Sequence, residues 1–130
     1  MVYETTWDVR FGDVDWARVL YYPRLFEHVS RIVERLMEDR AKSFDRLIED
    51  RGVAMPVVHA EADYRSPVTI GDRVRIEVEP VLGQSSVQFN VAGFVDNPVF
   101  EATTVHAVVD ADTFESRPVP DVITDDLADE

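Results

Sequence analysis

Residues 7–24 read WDVRFGDVDWARVLYYPR and join a strand pattern to the start of a helix. Apolar and polar side chains alternate at the beginning of this segment, which is typical of a β-strand. The alternation places Trp7, Val9 and Phe11 together on one face of the predicted strand. We therefore expect the chain to enter its fold as a strand with one apolar face.

An acidic loop follows the strand and leads into a helix. Gly12 breaks the alternation, and Asp13 and Asp15 then lie between bulky apolar residues. Pro23 suits the first turn of a helix, because its φ is fixed near helical values and its missing N–H has no helical partner there. A carboxylate is thus delivered beside a helix N-terminus, where free N–H groups and the macrodipole favour developing negative charge. This layout suits a hydrolase that stabilises an oxyanion.

Two helices are predicted after the loop. The first covers residues 23–39, where apolar side chains recur at helical spacing without an internal glycine. The second begins after Ser43 as N-cap and stops at Gly52. The side chains expected on its buried side are Phe44, Leu47 and Ile48.

The remainder of the chain is strand-like. Long runs with a period of two, joined by tight turns, predict an antiparallel sheet. A long apolar helix must be buried against such a sheet, which predicts an α+β fold in a single domain. The predicted strands cover residues 53–64, 73–79, 86–95 and 99–109, and a frayed acidic tail is expected over residues 125–130.

Composition and charge exclude several classes of function. The chain has 26 acidic and 13 basic residues, a formal net charge of −13, and no cysteine. A surface this negative repels phosphate backbones, so no nucleic-acid partner is expected. Neither a membrane-spanning apolar run nor a signal-peptide pattern is present, so we expect a soluble, cytoplasmic protein that does not bind membranes. Without cysteine there is no disulfide frame and no thiolate chemistry.

The basic residues are almost all arginine. Lys42 is the only lysine among the 13 basic residues. Abundant Asp and Glu with so little Lys indicates a halophilic protein, adapted to a salt-saturated cytoplasm. There the Debye length falls to about 3 Å at 1 M ionic strength and self-repulsion is screened. An ordinary acidic protein is the alternative.

Residues 11–15 (FGDVD) and 19–23 (VLYYP) resemble the signature of the 4-hydroxybenzoyl-CoA thioesterase family of hotdog-fold proteins. That signature reads roughly F-x-D-x-D-x-x-G-x-V, then two aromatic or histidine positions, then a long helix. The resemblance covers about residues 9–127. It implies a hotdog fold, with a long central helix wrapped by a five-stranded antiparallel sheet. It also implies an acyl-CoA thioesterase that forms a homodimer or homotetramer, with each active site shared across an interface.

The resemblance also implies catalytic residues. Asp15, the second acid, is the expected nucleophile or general base, and the backbone N–H of Tyr22 is expected to polarise the thioester carbonyl. Asp13 is expected to stiffen the loop by accepting backbone N–H groups. The family's glycine falls on Arg18, and glycine permits a positive φ at which arginine is strained. Either the loop bends differently there, or Arg18 contacts the ligand.

Other side chains are candidates for substrate binding. Tyr21, Trp16 and His59 are expected to line an aryl or a fatty-acyl pocket. By resemblance, Ser85 and Ser86 lie near the nucleotide end of coenzyme A. No basic residue neighbours these serines, so phosphate contacts are expected from arginines elsewhere, Arg18 among them.

No metal or cofactor is expected, apart from the coenzyme A of the substrate. No two histidines have the i, i+4 spacing of a helical metal site. Thioesters are already activated toward nucleophiles, so hydrolysis needs no redox group. His28 and His106 are expected to be structural.

Two other classes of function stay open. A hotdog dehydratase or hydratase acting on acyl thioesters would pair an Asp with a His near the helix start, and His28 lies about a turn too deep for that. A non-catalytic acyl-CoA-binding module is favoured by the missing glycine at Arg18. Only a thioesterase would release free coenzyme A.

Overall fold

The computed structural model describes residues 1–128 and contains a five-stranded antiparallel sheet. The strands of this sheet are β1 (Tyr3–Asp8), β3 (Val57–Tyr64), β4 (Arg73–Leu82), β5 (Ser86–Val95) and β6 (Asn97–Ala107). They lie in the order β1-β4-β5-β6-β3, so β1 and β3 are the two edge strands. Two short strands, β2 (Val53–Ala54) and β7 (Val109–Asp110), form a separate antiparallel pair.

The long helix α1 (Tyr22–Arg40) packs its apolar stripe into the core. One hydrophobic cluster joins that stripe to inward-facing sheet residues such as Ile76, Phe89 and Phe100. The predicted α+β arrangement of a long helix and a five-stranded antiparallel sheet is therefore confirmed. The buried side chains of the helix are Leu25, Val29, Ile32, Val33, Leu36 and Met37.

The short helix α2 (Phe44–Arg51) has the predicted ends. The Ser43 side chain accepts the N–H of Arg46 at 3.2 Å, and Gly52 ends the helix in the left-handed conformation at φ 65°. Leu47 is buried, but Ile48 is 47% exposed, so the prediction that Ile48 is buried was wrong. Successive side chains of a helix point about 100° apart. Because Leu47 points into the core, the next side chain, Ile48, points away from it.

The first strand ends earlier than the alternation predicted. Trp7 and Val9 are buried, whereas Phe11 is 83% exposed. Phe11 begins a 3₁₀ turn over Phe11–Asp13, which the N–H of Asp13 closes by donating to the Arg10 carbonyl at 2.9 Å. The placement of Phe11 on the apolar strand face was therefore wrong, because the turn rotates its side chain outward.

The long run predicted over residues 53–64 is two strands. Pro56 separates β2 from β3, and a proline cannot donate to a strand ladder. Beyond β3, the bounds of β4, β5 and β6 lie within a few residues of the predicted ones.

A third helix, α3 (Asp121–Leu127), lies near the end of the chain. Its Ile123 and Leu127 side chains are buried in the core. Residues 125–127, expected in a frayed tail, therefore belong to a packed helix, and residues 129 and 130 lie outside the described part of the chain. In that described part, every helix is too short or too polar to cross a membrane.

Candidate active site

Backbone hydrogen bonds hold the loop between β1 and α1 at several points. Within the loop, the Tyr21 N–H donates to the Asp13 carbonyl and the Asp15 N–H to the Val19 carbonyl, both at 2.9 Å. The Leu20 N–H donates to the Val68 carbonyl at 2.7 Å. The loop is thus fixed against the segment that follows β3.

Asp15 lies in a tight turn inside this loop. Its carbonyl accepts the Arg18 N–H at 2.9 Å, and its Oδ1 accepts the Ala17 N–H at 2.8 Å. The side chain is half-buried. Within residues 1–128, Oδ2 has no hydrogen-bond partner. The turn therefore fixes the carboxylate through one oxygen and leaves the other open.

Asp15 lines two clefts. The first, of about 420 Å³, is termed the apolar cleft, and the second, of about 480 Å³, is termed the Arg18 cleft. Volumes of this size are typical of small-molecule sites. Besides Asp15, the apolar cleft is lined by Val19, Leu20, Tyr22, Tyr64, Arg65, Ser66, Pro67 and Val68, and the Arg18 cleft by Phe11, Val14, Trp16, Arg18 and Ile70.

The first helical residue, Tyr22, borders the apolar cleft. Pro23 has no N–H, and the Arg24 N–H donates to the Tyr21 carbonyl at 2.8 Å. The Tyr22 N–H has no hydrogen-bond partner in the described chain. An unpaired N–H at the positive end of a helix dipole is a suitable donor to an anion.

Both carboxylate oxygens of the neighbouring acid, Asp13, have partners. Its Oδ2 accepts the Arg10 N–H at 2.9 Å, and its Oδ1 lies 2.8 Å from Nε2 of His28. Burial opposes ionisation of Asp13, but these two contacts hold its pKa below the usual range. The His28 ring stacks on Trp7, with 4.0 Å between centroids. The prediction that Asp13 stiffens the loop by accepting a backbone N–H is confirmed.

Arg18 adopts the conformation that the family's glycine would allow. Its φ is 64°, so the loop keeps a left-handed residue at this position. The side chain is exposed, and no residue of the described chain accepts a hydrogen bond from its guanidinium or pairs with it. Trp16, at 95% exposure, is another wall of the same cleft.

The chain resembles known proteins over nearly its whole length. The family model described as "Thioesterase-like superfamily" matches residues 9–127. The chain belongs to the thioesterase-like superfamily. Its expected enzyme class, a thioester hydrolase, and its expected hotdog fold are thereby confirmed.

Relatives of this thioesterase include two cyanobacterial enzymes named 1,4-dihydroxy-2-naphthoyl-CoA hydrolase. That of Synechococcus elongatus is 32% identical over 90% of this chain and 88% of the relative. That of Prochlorococcus marinus is 31% identical over 88% of this chain and 80% of the relative.

Solved structures share the fold of this thioesterase. A 1,4-dihydroxy-2-naphthoyl-CoA thioesterase from Synechocystis superposes with a TM-score of 0.91 at 19% identity, over 99% of this chain and 97% of that one. A thioesterase superfamily protein from Jannaschia sp. CCS1 has a TM-score of 0.87 at 26% identity, over 97% and 90%.

Three of the predicted substrate-binding residues of this thioesterase lie away from Asp15 within one chain. Ser86 pairs with Ala107 at one end of the sheet, and Ser85 precedes it. The apolar cleft lies at the other end of the sheet. Seven residues of β6 separate the two ends, which is about 23 Å of strand. His59 lies on β3 with its side chain 56% exposed and 3.3 Å from Glu61. Tyr21 is the N-cap of α1 and precedes Tyr22 in the chain, but it lines neither cleft.

Sequence reasoning missed the far wall of the apolar cleft. Tyr64 ends β3, and Pro67 and Val68 follow it. The Ser-Pro pair at residues 66–67 marked only the end of a strand, and nothing local linked it to Asp15. Across residues 1–128, no three His, Asp or Glu side chains are grouped to hold a metal ion.

Proposed function

We propose that this protein hydrolyses an acyl-CoA thioester to the free acid and coenzyme A, with Asp15 as its catalytic carboxylate. The observation that carries the proposal is the position of Asp15 between two clefts, half-buried and with one carboxylate oxygen open. A thioester carbonyl bound at this point extends one arm into each cleft. Among residues 1–128, Asp15 is the only acid that lines both clefts.

Two routes lead from this arrangement to products. In the first, Asp15 attacks the carbonyl carbon, coenzyme A leaves as the thiolate, and water hydrolyses the resulting anhydride. In the second, Asp15 removes a proton from a water molecule that attacks the carbonyl, and the tetrahedral intermediate then collapses with loss of the coenzyme A thiolate, which takes up the proton. Both routes pass through an oxyanion, for which the unpaired Tyr22 N–H and the helix dipole supply stabilisation. Pro23 cannot donate, so Tyr22 is the donor at this helix start.

An aromatic acyl group is the proposed substrate class. The relatives named above are hydrolases of 1,4-dihydroxy-2-naphthoyl-CoA, and the resemblance extends over nearly the whole chain. The Arg18 cleft has flat and branched walls from Phe11, Trp16 and Ile70, which leaves the apolar cleft to the pantetheine arm. Such walls suit a planar ring, because aromatic faces pack well on apolar and aromatic surfaces.

A second copy of the chain is proposed to complete the site. The edge strand β3 leaves Val57, Val58 and Tyr64 exposed at 54%, 64% and 46%. An unpaired edge of this kind is a liability for a single chain. Antiparallel pairing of two β3 strands around a two-fold axis would bring the His59 and Ser86 end of one sheet toward the clefts of the other.

This assembly gives His59, Ser85 and Ser86 a route to the substrate that one chain lacks. We therefore propose a homodimer, which can stack into a tetramer. Light scattering in molar potassium chloride tests this directly. A monomer under those conditions would contradict the shared site and would leave these three residues without a role in binding.

One observation favours a second function. The Asp13–His28 pair, with 2.8 Å between Oδ1 and Nε2, is the kind of acid–imidazole pair that a hydratase uses. Neither residue lines the apolar cleft or the Arg18 cleft, however. The pair is better placed to support the loop that carries Asp15.

A panel of aryl- and fatty-acyl-CoA esters, assayed with a thiol-detecting reagent, tests the proposed reaction. Release of free coenzyme A supports hydrolysis. Hydration of an enoyl-CoA without thiol release would support the hydratase instead. Saturable binding of acyl-CoA with no product of either kind would make the protein a binding module.

A further inference from the structure

Arg18 is a cation held close to the catalytic carboxylate at a strained backbone position. Its N–H closes the turn on the Asp15 carbonyl at 2.9 Å, and its φ is 64°. The first and last Cα atoms of such a turn lie less than about 7 Å apart. A residue with a Cβ is disfavoured at this φ, and glycine or asparagine would be accommodated more easily. A gain from the arginine side chain would offset this strain.

That gain does not come from an ion pair within the described chain. Acidic residues outnumber basic ones two to one, and Arg65 and Arg73 each pair with a carboxylate within 3 Å. The Arg18 guanidinium has no such partner in residues 1–128 and borders a cleft instead. A planar guanidinium presents five N–H donors, which match an oxygen-bearing ligand group.

The other walls of the Arg18 cleft indicate what that ligand group is attached to. Phe11 and Trp16 are 83% and 95% exposed, and Ile70 is 42% exposed. Exposed apolar side chains gathered around one cation form a surface for a flat, largely apolar group that carries an oxygen. An aromatic ring with a hydroxyl or phenolate oxygen has that chemistry.

The position of Arg18 limits which part of an acyl-CoA reaches it. The phosphates of coenzyme A are separated from the thioester by the whole uncharged pantetheine arm. Arg18 is the last residue of the turn that begins at Asp15, so its guanidinium meets groups near the reacting carbonyl. Near the carbonyl, the acceptors are the first amide of the pantetheine arm and the ring oxygens of an aromatic acyl group, and the apolar walls of the Arg18 cleft favour the ring.

We propose that Arg18 is a specificity-determining residue that binds a ring oxygen of the acyl group, so that hydroxylated aroyl-CoA esters are preferred over unsubstituted ones. The inference rests on the thioesterase function proposed above. In this chain, Arg18 occupies a glycine position of the family signature and selects the acyl group. Arg18 stabilises the bound ester through its donors, while Asp15 performs the reaction.

The test compares 1-hydroxy-2-naphthoyl-CoA with 2-naphthoyl-CoA in thiol-release assays at one fixed salt concentration. Arg18→Gly removes the cation and relieves the backbone, and Arg31→Ala removes one positive charge from an exposed site on α1 outside both clefts. We expect the wild type to prefer the hydroxylated ester. Arg18→Gly should lose at least tenfold in kcat/KM for that ester and less than threefold for the other. Arg31→Ala should leave the ratio of the two unchanged.

The melting temperature separates this effect from misfolding, because Arg18→Gly is expected to melt no lower than the wild type. Equal losses on both esters would overturn the inference and point to the coenzyme A arm or to general electrostatics. The inference would also be overturned if Arg18→Gly kept the wild-type ratio of kcat/KM for the two esters. A wild type that hydrolyses only aliphatic esters would overturn it as well. Failure of the wild type to hydrolyse any acyl-CoA is a different result, because it removes the proposed function itself.

Discussion

Oδ1 of Asp13 lies 2.8 Å from Nε2 of His28, although fifteen residues separate them in the chain. The second oxygen of Asp13 accepts the Arg10 N–H, so both oxygens of this carboxylate are engaged. Asp15, two residues later, has one oxygen open and lines both clefts. Two acids on one loop therefore have different surroundings, and of the two only Asp15 has an open carboxylate oxygen beside the clefts.

The buried His106 predicts a loss of stability in mild acid. It is 7% exposed, its Nδ1 lies 3.0 Å from the Met55 carbonyl, and its ring packs against Phe44 and Phe89. Burial lowers the pKa of His106, and the hydrogen bond to Met55 opposes this only in part. The unfolded chain, with a pKa of about 6.5, takes up the proton first as pH falls.

The free energy of unfolding should thus be highest above about pH 6.5 and fall as the pH drops toward the folded pKa of His106. Urea unfolding of the wild type and His106→Gln between pH 8 and pH 5 measures this. The variant should be less stable at pH 8 but lose less on acidification. Parallel curves for His106→Gln and the wild type would refute the assignment.

The close contact between Gly93 and Phe100 predicts that no side chain is tolerated at position 93. They face each other across β5 and β6, and a Cβ built on Gly93 would lie 2.3 Å from Cε2 of Phe100. Phe100 is fully buried in the core. Overpacking of this kind costs about 1–3 kcal/mol, so Gly93→Ala should lower the free energy of unfolding by that amount.

Urea unfolding of Gly93→Ala measures the loss in the free energy of unfolding. Two further variants test whether overpacking causes that loss. Adding Phe100→Leu should recover part of the loss, because the smaller side chain vacates the ring position. Gly12→Ala is the control, since its Cβ would meet no atom within 4 Å. A Gly93→Ala protein as stable as Gly12→Ala would show that the core adapts at this point.

The long helix and the sheet were predictable because their patterns are local and unbroken. The helix predicted over residues 23–39 is Tyr22–Arg40 in the structure, since buried side chains recur along it at helical spacing. Turn residues such as Gly71, at φ 89°, separated the strands clearly. The alternation of apolar and polar residues placed Phe11 wrongly. A single 3₁₀ turn, closed by a hydrogen bond, interrupts the strand at this residue, so the period of two no longer applies.

The candidate site was predictable only in its loop. Asp15 and Tyr22 lie seven residues apart and both line the apolar cleft. The opposite wall, from Tyr64 to Val68, and the contact between Asp13 and His28 depend on how distant segments pack. Such contacts leave no periodic or spacing signal in one sequence, so the structure was needed to find them.

The net charge of −13 predicts that salt stabilises the protein. Raising potassium chloride from 0.1 M to 1 M shortens the Debye length from about 10 Å to about 3 Å, which screens repulsion among exposed carboxylates. Surface ion pairs such as Asp8–Arg73 weaken as well, but exposed pairs contribute little to stability, and acids are in twofold excess. The melting temperature should therefore rise over this range.

Differential scanning calorimetry across this salt series measures the effect. Glu79→Gln removes one exposed carboxylate, so it should melt higher than the wild type at low salt and respond less to added salt. If the wild-type melting temperature is flat over the series, the acidic composition does not reflect adaptation to high salt.

Asp15→Asn tests the catalytic assignment. The amide can still accept the Ala17 N–H, so the melting temperature should change little, while kcat should fall by two decades or more, roughly 3 kcal/mol of transition-state stabilisation. Asp13→Asn is the control: it weakens the contact with His28, so stability should fall by about 1 kcal/mol while kcat stays within a few-fold. Thiol release and thermal melting of both variants give the answer. An inactive Asp13→Asn beside an active Asp15→Asn would move the chemistry to Asp13, and two active variants would leave Asp15 as a turn-stabilising residue only.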